Sequence, residues 1–220
     1  MTSPRNDRFA PERVTADIRK KLSFSLEPQG NELLVNDPVI DDDFFNGQPT
    51  RYALAAGARA AAVLVGLVLY EEEIRVLLTQ RAATLRVHAG QIAFPGGKIE
   101  PQDDGPIGAA LREAHEEIGL ASDCVEPLGF LDPYVTGTGF RVIPVVAGIA
   151  PRFNLVLNPG EVADVFEAPF SFLMDEANHC LDAREFEGRL RRFYAMTYGE
   201  RYIWGITAGI LRNLYERLYS

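Results

Sequence analysis

The stretch Phe94–Leu120, FPGGKIEPQDDGPIGAALREAHEEIGL, decides how the rest of the chain is organised. It ends in an acidic segment in which Glu113 is followed by Glu116 three residues later and by Glu117 four residues later. On a helix this spacing places the three carboxylates on one face, where like charges repel each other unless a cation offsets them. Converging carboxylate oxygens are the ligands that Mg²⁺ prefers. The stretch therefore predicts a metal site on a helix.

That helix is predicted to run over Pro106–Ile118. Pro106 suits its first turn and Gly119 suits its end, while the preceding glycines Gly96 and Gly97 allow the backbone to turn sharply. Apolar residues form a separate stripe along the helix, namely Ile107, Ala110, Leu111, Ala114 and Ile118. We therefore expect one side of the helix to be buried while the acidic side faces a cleft.

The composition indicates a globular protein that does not bind nucleic acid as its main partner. The chain has 220 residues, of which 47% are hydrophobic, and a net charge of −9. Binding to a phosphate backbone relies on Lys and Arg, so this balance disfavours nucleic acid. The negative net charge is still compatible with a small anionic ligand that is held by a metal and a few arginines. The length predicts an N-terminal helix and arm in residues 1–50, followed by one domain in residues 51–220.

Neither a membrane span nor a disulfide is expected. The longest uncharged apolar run, Ala60–Tyr70, is too short to cross a bilayer, and the N-terminus lacks the apolar core of a secretory signal. The cysteines Cys124 and Cys180 have no metal-binding spacing, and they are interpreted as reduced thiols. We therefore expect a cytoplasmic protein. The sequence leaves open whether it forms a homodimer.

The hydrophobic pattern predicts a mixed sheet between helices. A hairpin is expected from Ala61–Tyr70 and Ile74–Gln80, and an arm laid over the domain from residues 27–52. The VTGTG loop, Val135–Gly139, is either a border of the substrate site or a plain turn. The other predicted elements are a helix over Pro11–Leu22, strands over Val125–Leu131, Phe140–Ile149 and Glu161–Ala168, a turn over Asn158–Gly160, a charged hairpin over Ala183–Tyr198 and a helix over Tyr202–Leu218.

The central stretch resembles the Nudix box, G-x5-E-x7-R-E-U-x-E-E-x-G-U, where U is a bulky apolar residue. The resemblance is carried by Gly97, Asp103 and the run Arg112–Leu120, REAHEEIGL. Three features depart from the pattern: Asp103 replaces Glu, the spacer before Arg112 has eight residues instead of seven, and Ala114 is small. The resemblance implies an α/β protein, a Nudix-type α/β/α sandwich with a mixed β-sheet between helices. It also implies hydrolysis of a nucleoside diphosphate linked to another moiety.

In two of these departures the chain resembles a Nudix subgroup that acts on coenzyme A. That subgroup has the Asp, the longer spacer and an upstream signature like Leu77–Gly97, LLTQRAATLRVHAGQIAFPGG, and the segment Ile203–Leu211, IWGITAGIL, is also similar to it. The implied reaction cuts coenzyme A into 3′,5′-ADP and 4′-phosphopantetheine. The alternatives are a diphosphatase for ADP-ribose, NADH or another nucleoside diphosphate derivative, and a catalytically inactive nucleotide sensor. The sensor is disfavoured because all three glutamates are present.

The resemblance also implies roles for particular residues. Glu113, Glu116 and Glu117 are expected to be catalytic and to hold Mg²⁺ or Mn²⁺, while Arg112 orients a glutamate. A carboxylate has to deprotonate the attacking water, and Glu116, Glu117 and the loop acid Glu161 all stay open for this role. The alternative for Glu161 is that it is an extra ligand of the metal.

Substrate contacts are expected upstream of the acidic helix. Gly96 and Gly97 would contact the substrate site through their backbone. Arg81 and Arg86 are candidates for the 3′-phosphate of coenzyme A, with plain surface charge as the equal alternative. His88 belongs to the same signature, although a lone histidine is otherwise more often structural.

Overall fold

The structure is a computed structural model, and it describes residues 7–22, 40–41, 58–136, 139–186 and 189–220. The predicted arm, apart from residues 40–41, and the centre of the VTGTG loop lie outside these residues. The helices are α1 Pro11–Lys21, α2 Gly105–Ile118, α3 Phe170–Leu173 and α4 Ile206–Tyr219. The strands are β1 Ile40–Asp41, β2 Arg59–Leu69, β3 Ile74–Arg81, β4 Ile92–Ala93, β5 Gly96–Lys98, β6 Val125–Phe130, β7 Tyr134–Val135, β8 Phe140–Ile149, β9 Val162–Pro169, β10 Cys180–Phe186, β11 Arg189–Tyr198 and β12 Arg201–Trp204. None of the helices in the described ranges is long and apolar enough to cross a membrane.

Strand β2 lies at the centre of a mixed sheet. It pairs antiparallel with β3, with Leu67 opposite Val76, which confirms the predicted hairpin. Its other long neighbour is β8, which runs parallel to it with Ala62 opposite Ile143. Within the described residues the sheet has nine strands in the order β1-β7-β8-β2-β3-β4, with β5 also on β2, β6 on β8 and β9 on β3. A parallel pair and antiparallel pairs in one sheet confirm the predicted mixed sheet.

Helices cover both faces of this sheet. Along β2, Val65 and Leu67 join one apolar cluster while Leu64 and Val68 join a second one, because successive side chains point to opposite faces. The first cluster contains Val14 and Ile18 of α1 and Ile210, Leu211 and Leu214 of α4. The second contains Ala109, Ala110, Ala114 and Ile118 of α2. The predicted arrangement of a mixed sheet between helices is therefore confirmed.

The C-terminal region differs from the prediction in one element. The helix predicted from Tyr202 begins at Ile206, because residues 201–204 form β12 and pair with β11. Ile203 is buried while Tyr202 and Trp204 are half-buried, which is the period of a strand, and Gly205 has φ +61°, which separates strand from helix. The predicted charged hairpin is present, and it begins at Cys180 instead of Ala183. Strands β10, β11 and β12 form a second, three-stranded sheet.

Candidate active site

The glycine turn brings the chain against the acidic helix. Strand β5 pairs with β2, with Gly97 opposite Ala62, and the chain then continues into α2. A Cβ atom at Gly97 would overlap the carboxylate of Glu113, and one at Gly96 would overlap the backbone of β2. Only glycine leaves the carboxylate this space. The two glycines predicted to contact the site therefore lie against its acids.

Arg112 ties the acids of this region together. Its Nε and Nη2 donate to the two carboxylate oxygens of Asp103, at 2.8 and 3.0 Å, and Nη2 also donates to the Lys98 carbonyl at 3.0 Å. Its Nη1 donates to Glu113 Oε1 at 3.0 Å and to Glu116 Oε2 at 3.1 Å. The bidentate pair is thus made with Asp103, and two of the three helix glutamates are oriented by the same guanidinium.

Glu117 is the most buried of the three helix glutamates, with 4% of its surface exposed. Its Oε2 accepts a hydrogen bond from the Gly96 N–H at 3.2 Å. Burial raises the pKa of Glu117 to about 7, and the nearby charges of Glu113 and Glu161 act in the same direction, while the Gly96 bond and Arg81 lower it. Burial likewise raises the pKa of Glu113, against the opposing effect of Arg112. The site therefore concentrates negative charge that a cation would stabilise.

Glu161 belongs to a turn that is attached to the end of α2. The Asn158 N–H donates to the Glu117 carbonyl at 2.9 Å, which fixes the turn to the end of the helix. The Asn158 side chain donates to Glu161 Oε1 at 3.1 Å. The negative charge of Glu161 raises the pKa values of both Glu113 and Glu117, so it lies within electrostatic reach of both.

The predicted substrate residues separate into two groups. Arg81, at the end of β3, is half-buried, its charge lowers the pKa of Glu117, and its Nε is buried with no hydrogen-bond partner among the described residues. Arg86 and His88 are exposed on the loop that follows β3. His88 has φ +58°, and its Nδ1 donates to Gln91 Oε1 at 2.9 Å. The structure therefore brings Arg81 to the acids and leaves Arg86 and His88 on the outer loop.

The oxygen donors of this site fit a hard divalent cation. In the part of the chain that the structure describes, no three Asp, Glu, His or Cys side chains already form a ligand set. Glu113 and Glu116 are instead held by Arg112, so a cation would compete with the arginine for these oxygens. Carboxylates near a buried, electrostatically strained Glu117 are suitable for Mg²⁺ or Mn²⁺.

Sequence reasoning missed the positioning residues of the site. It assigned no role to Asp103, which anchors Arg112, or to Asn158, which connects α2 to Glu161. For Asn158 the sequence does contain a signal, the turn-forming triplet Asn-Pro-Gly. The predicted turn is confirmed, because the Gly160 N–H donates to Asn158 Oδ1 at 3.1 Å. The box pattern already singled out Asp103 as its first acid, but only the folded loop shows that it faces Arg112.

Comparison with known proteins identifies one family. A family model described as the NUDIX domain matches residues 60–191, which contain all the acids described above. An uncharacterized Nudix hydrolase, NudL, from Cronobacter sakazakii is 41% identical over 184 residues, covering 81% of this chain and 95% of that protein. NudL from Enterobacter sp. is 44% identical over 183 residues, covering 81% and 94%. Among solved structures, the Nudix hydrolase RenU from M. smegmatis has 25% identity and a TM-score of 0.46, covering 55% of this chain and 76% of that one.

Proposed function

Because the chain belongs to the Nudix hydrolase family, we propose that it hydrolyses the diphosphate of coenzyme A to 3′,5′-ADP and 4′-phosphopantetheine. The proposed hydrolysis is supported chiefly by three glutamates, Glu113, Glu116 and Glu117. Two of them are bonded to Arg112, and Glu117 is bonded to the glycine turn. Coenzyme A as the substrate is supported by the Leu77–Gly97 signature, whose loop follows directly from Arg81.

We assign the three helix glutamates to a bound Mg²⁺ or Mn²⁺. Such an ion lowers the pKa of water and stabilises the negative charge that develops on the bridging oxygen. The protein orients the ligands: Arg112 holds Glu113 and Glu116, and the Gly96 N–H holds Glu117. Asp103 keeps the guanidinium in place, so we assign it a positioning role.

We assign the general base to Glu161. The helix glutamates are held by Arg112 or by the backbone of Gly96 and are assigned to the metal, whereas Glu161 belongs to a separate turn, where the Asn158 side chain orients it through Oε1. Its carboxylate would take a proton from the water that attacks one phosphorus atom, while the bond from that phosphorus to the bridging oxygen breaks. The positive charge of Arg81 beside the acids suits the diphosphate, and Arg86 and His88 suit outer parts of the substrate.

The proposal is tested by identifying products. The purified protein is incubated with coenzyme A and either Mg²⁺ or Mn²⁺, and the products are separated by chromatography. We expect equal amounts of 3′,5′-ADP and 4′-phosphopantetheine. A Glu117→Gln variant, which keeps the size of the side chain, should form neither at a comparable rate. If no 4′-phosphopantetheine forms at any metal concentration, coenzyme A is not the substrate.

A further inference from the structure

A cavity of about 570 Å³ opens beside the edge of the main sheet. Its walls are formed by Gln80 of β3, by residues 89–92, and by Glu200, Arg201, Tyr202 and Trp204 at β12. Gln80 and Arg81 are consecutive in β3, and the register of its pairing with β9 shifts between them, which turns a side chain away from the regular alternation. The charge of Arg81 acts on Glu117, while Gln80 Oε1 accepts a hydrogen bond from Arg201 at 3.2 Å. One wall of the cavity is therefore next in sequence to a residue of the acidic site, and the cavity volume falls within the range of small-molecule sites.

The backbone joins this cavity to the candidate active site. The Arg81 N–H donates to the Gln91 carbonyl at 2.9 Å, and the Gly90 N–H donates to the Arg81 carbonyl at 3.1 Å. Gln91 and Gly90 are cavity walls, whereas Arg81 is within electrostatic reach of Glu117. A long substrate whose diphosphate lies at Arg81 therefore has to extend only past this pair of hydrogen bonds to reach the cavity.

Aromatic rings form one wall of the cavity. The rings of Tyr202 and Trp204 are stacked, with centroids 6.4 Å apart and an interplanar angle of 28°. Trp204 packs against Phe193 with centroids 5.3 Å apart, and the Tyr202 hydroxyl donates to the Asp182 carboxylate. Both rings are thus held in place while they line the cavity. Fixed, nearly parallel ring faces suit a planar heteroaromatic group.

Positive charge borders the same wall. The Arg184 guanidinium lies 4.6 Å from the Trp204 ring centroid, and Arg184 is directly opposite Arg191 on the neighbouring strand. Two arginines directly opposite each other in a sheet concentrate positive charge, and the charge of Arg184 also helps to lower the pKa of Asp182, which lies two residues away on the same strand. In a chain with a net charge of −9, such an arginine pair suits an anionic ligand.

We propose that this cavity binds the adenine base of the substrate against Tyr202 and Trp204, with a ribose phosphate beside Arg184 and Arg191. Gln80 Oε1 and Gln91 Oε1 already accept hydrogen bonds within the protein, so their amide N–H groups match the acceptor nitrogens of adenine. The inference rests on the proposed function in one respect, because it assigns the adenosine end of coenzyme A to this cavity and the diphosphate to the acidic site.

Trp204 provides the test, because it is the only tryptophan in the sequence. Its fluorescence, excited at the red edge of its absorption, is followed while adenosine 3′,5′-bisphosphate is added to the full-length protein without divalent metal. We expect saturable quenching by this nucleotide and none by 4′-phosphopantetheine. Tyr202→Leu should raise the Kd about tenfold, as expected for the loss of one stacking partner. The absence of saturable quenching, or equal quenching by 4′-phosphopantetheine, would overturn the proposal.

A pair of variants on one hairpin tests the phosphate contact. Arg184→Gln should weaken binding of the bisphosphate and reduce its dependence on salt. Arg192→Gln is the matched control, because Arg192 is opposite Ala183 and so lies on the other face of the same hairpin. Binding should be unchanged in this control, and equal losses in both variants would contradict the assignment.

Failure of this inference is distinguishable from failure of the proposed function. Quenching of Trp204 by the bisphosphate, in a protein that does not cleave coenzyme A, would support the cavity and reject the substrate. Cleavage of coenzyme A by a protein whose Trp204 does not respond would support the substrate and reject the cavity.

Discussion

At the scale of single residues, Glu117 combines deep burial with a negative charge. Its carboxylate accepts a hydrogen bond from the Gly96 N–H, and burial raises its pKa to about 7 from an ordinary value of 4.5. In the metal-free protein, ionising this group costs free energy that the unfolded chain does not lose. The residue is therefore costly for folding in the absence of a cation, which is characteristic of a functional site.

The first prediction concerns this cost. The folded protein binds more protons than the unfolded chain between about pH 4.5 and 7, so metal-free stability should fall as pH rises through that window and stay reduced above it. At about 1.4 kcal/mol per pKa unit, the loss is about 3 kcal/mol. Chemical denaturation at about pH 8 should therefore find Glu117→Gln more stable than the parent protein. Glu185→Gln, which alters an exposed glutamate, should show no such gain.

The second prediction concerns metal. If the glutamates hold Mg²⁺ or Mn²⁺, a concentration about 100 times the Kd should stabilise the parent protein by about 2.7 kcal/mol. Thermal unfolding at about pH 8 checks this, since the Tm should rise with metal in the parent and much less in Glu117→Gln. Equal shifts in both proteins would show that the ion binds elsewhere.

The third prediction concerns Asp103, whose side chain is 3% exposed and holds Arg112 by two contacts. The hydrogen bond from Arg112 keeps the pKa of Asp103 below its ordinary value. Asp103→Asn should cost about 2 kcal/mol of stability, the range of a hydrogen bond to a charged group, and also lower kcat, because Arg112 then loses the group that positions it. Denaturation and kinetics check both effects. The adjacent Asp104→Asn is the control, since Asp104 is exposed and makes no capping bond.

At the scale of elements, both ends of α2 could be predicted from the sequence. Pro106 is in its first turn, and Gly119 ends it in the left-handed conformation with φ +70°. Capping residues act locally, so these signals need no tertiary contact to be interpreted. The burial of Glu117 could not be predicted in this way, because it depends on β5 folding back against the helix.

The fourth prediction uses two glycines of this element. Gly119→Ala should destabilise the protein by more than about 1 kcal/mol, because φ is positive and the new Cβ would lie 2.8 Å from the Val156 nitrogen. Gly108→Ala, inside the same helix, has contacts of 3.4 Å or longer and should stabilise it by about 0.5–1 kcal/mol. Urea denaturation of the two variants should give shifts of opposite sign. Shifts of the same sign would mean that α2 ends differently.

Strand β12 marks where prediction of elements from the sequence fails. The apolar residues from Tyr202 onward have a spacing that is compatible with the helix that follows. The helix predicted from the sequence therefore began too early. The strand forms because β11 supplies a partner, with Thr197 opposite Tyr202 and Met196 opposite Ile203. Whether a segment forms a strand depends on its cross-strand neighbours and on its burial, which its own residues do not reveal. The cavity that β12 lines was therefore not predicted.

At the scale of the whole molecule, the layered architecture follows from the alternation on β2. A strand that is apolar on both faces requires covering on both, which α2 supplies on one side and α1 with α4 on the other. This much could be predicted from hydrophobic pattern and family resemblance. The pairing of β1 with β7, and the contact between Arg201 and Gln80, depend on the assembled fold.

The most direct test of the central claim compares substrates in one preparation of the protein. The value of kcat/KM is measured for coenzyme A, ADP-ribose and NADH with Mg²⁺ and with Mn²⁺. The proposed function predicts the highest kcat/KM for coenzyme A, with a loss of orders of magnitude in Glu117→Gln. A kcat/KM for ADP-ribose or NADH well above that for coenzyme A would contradict it.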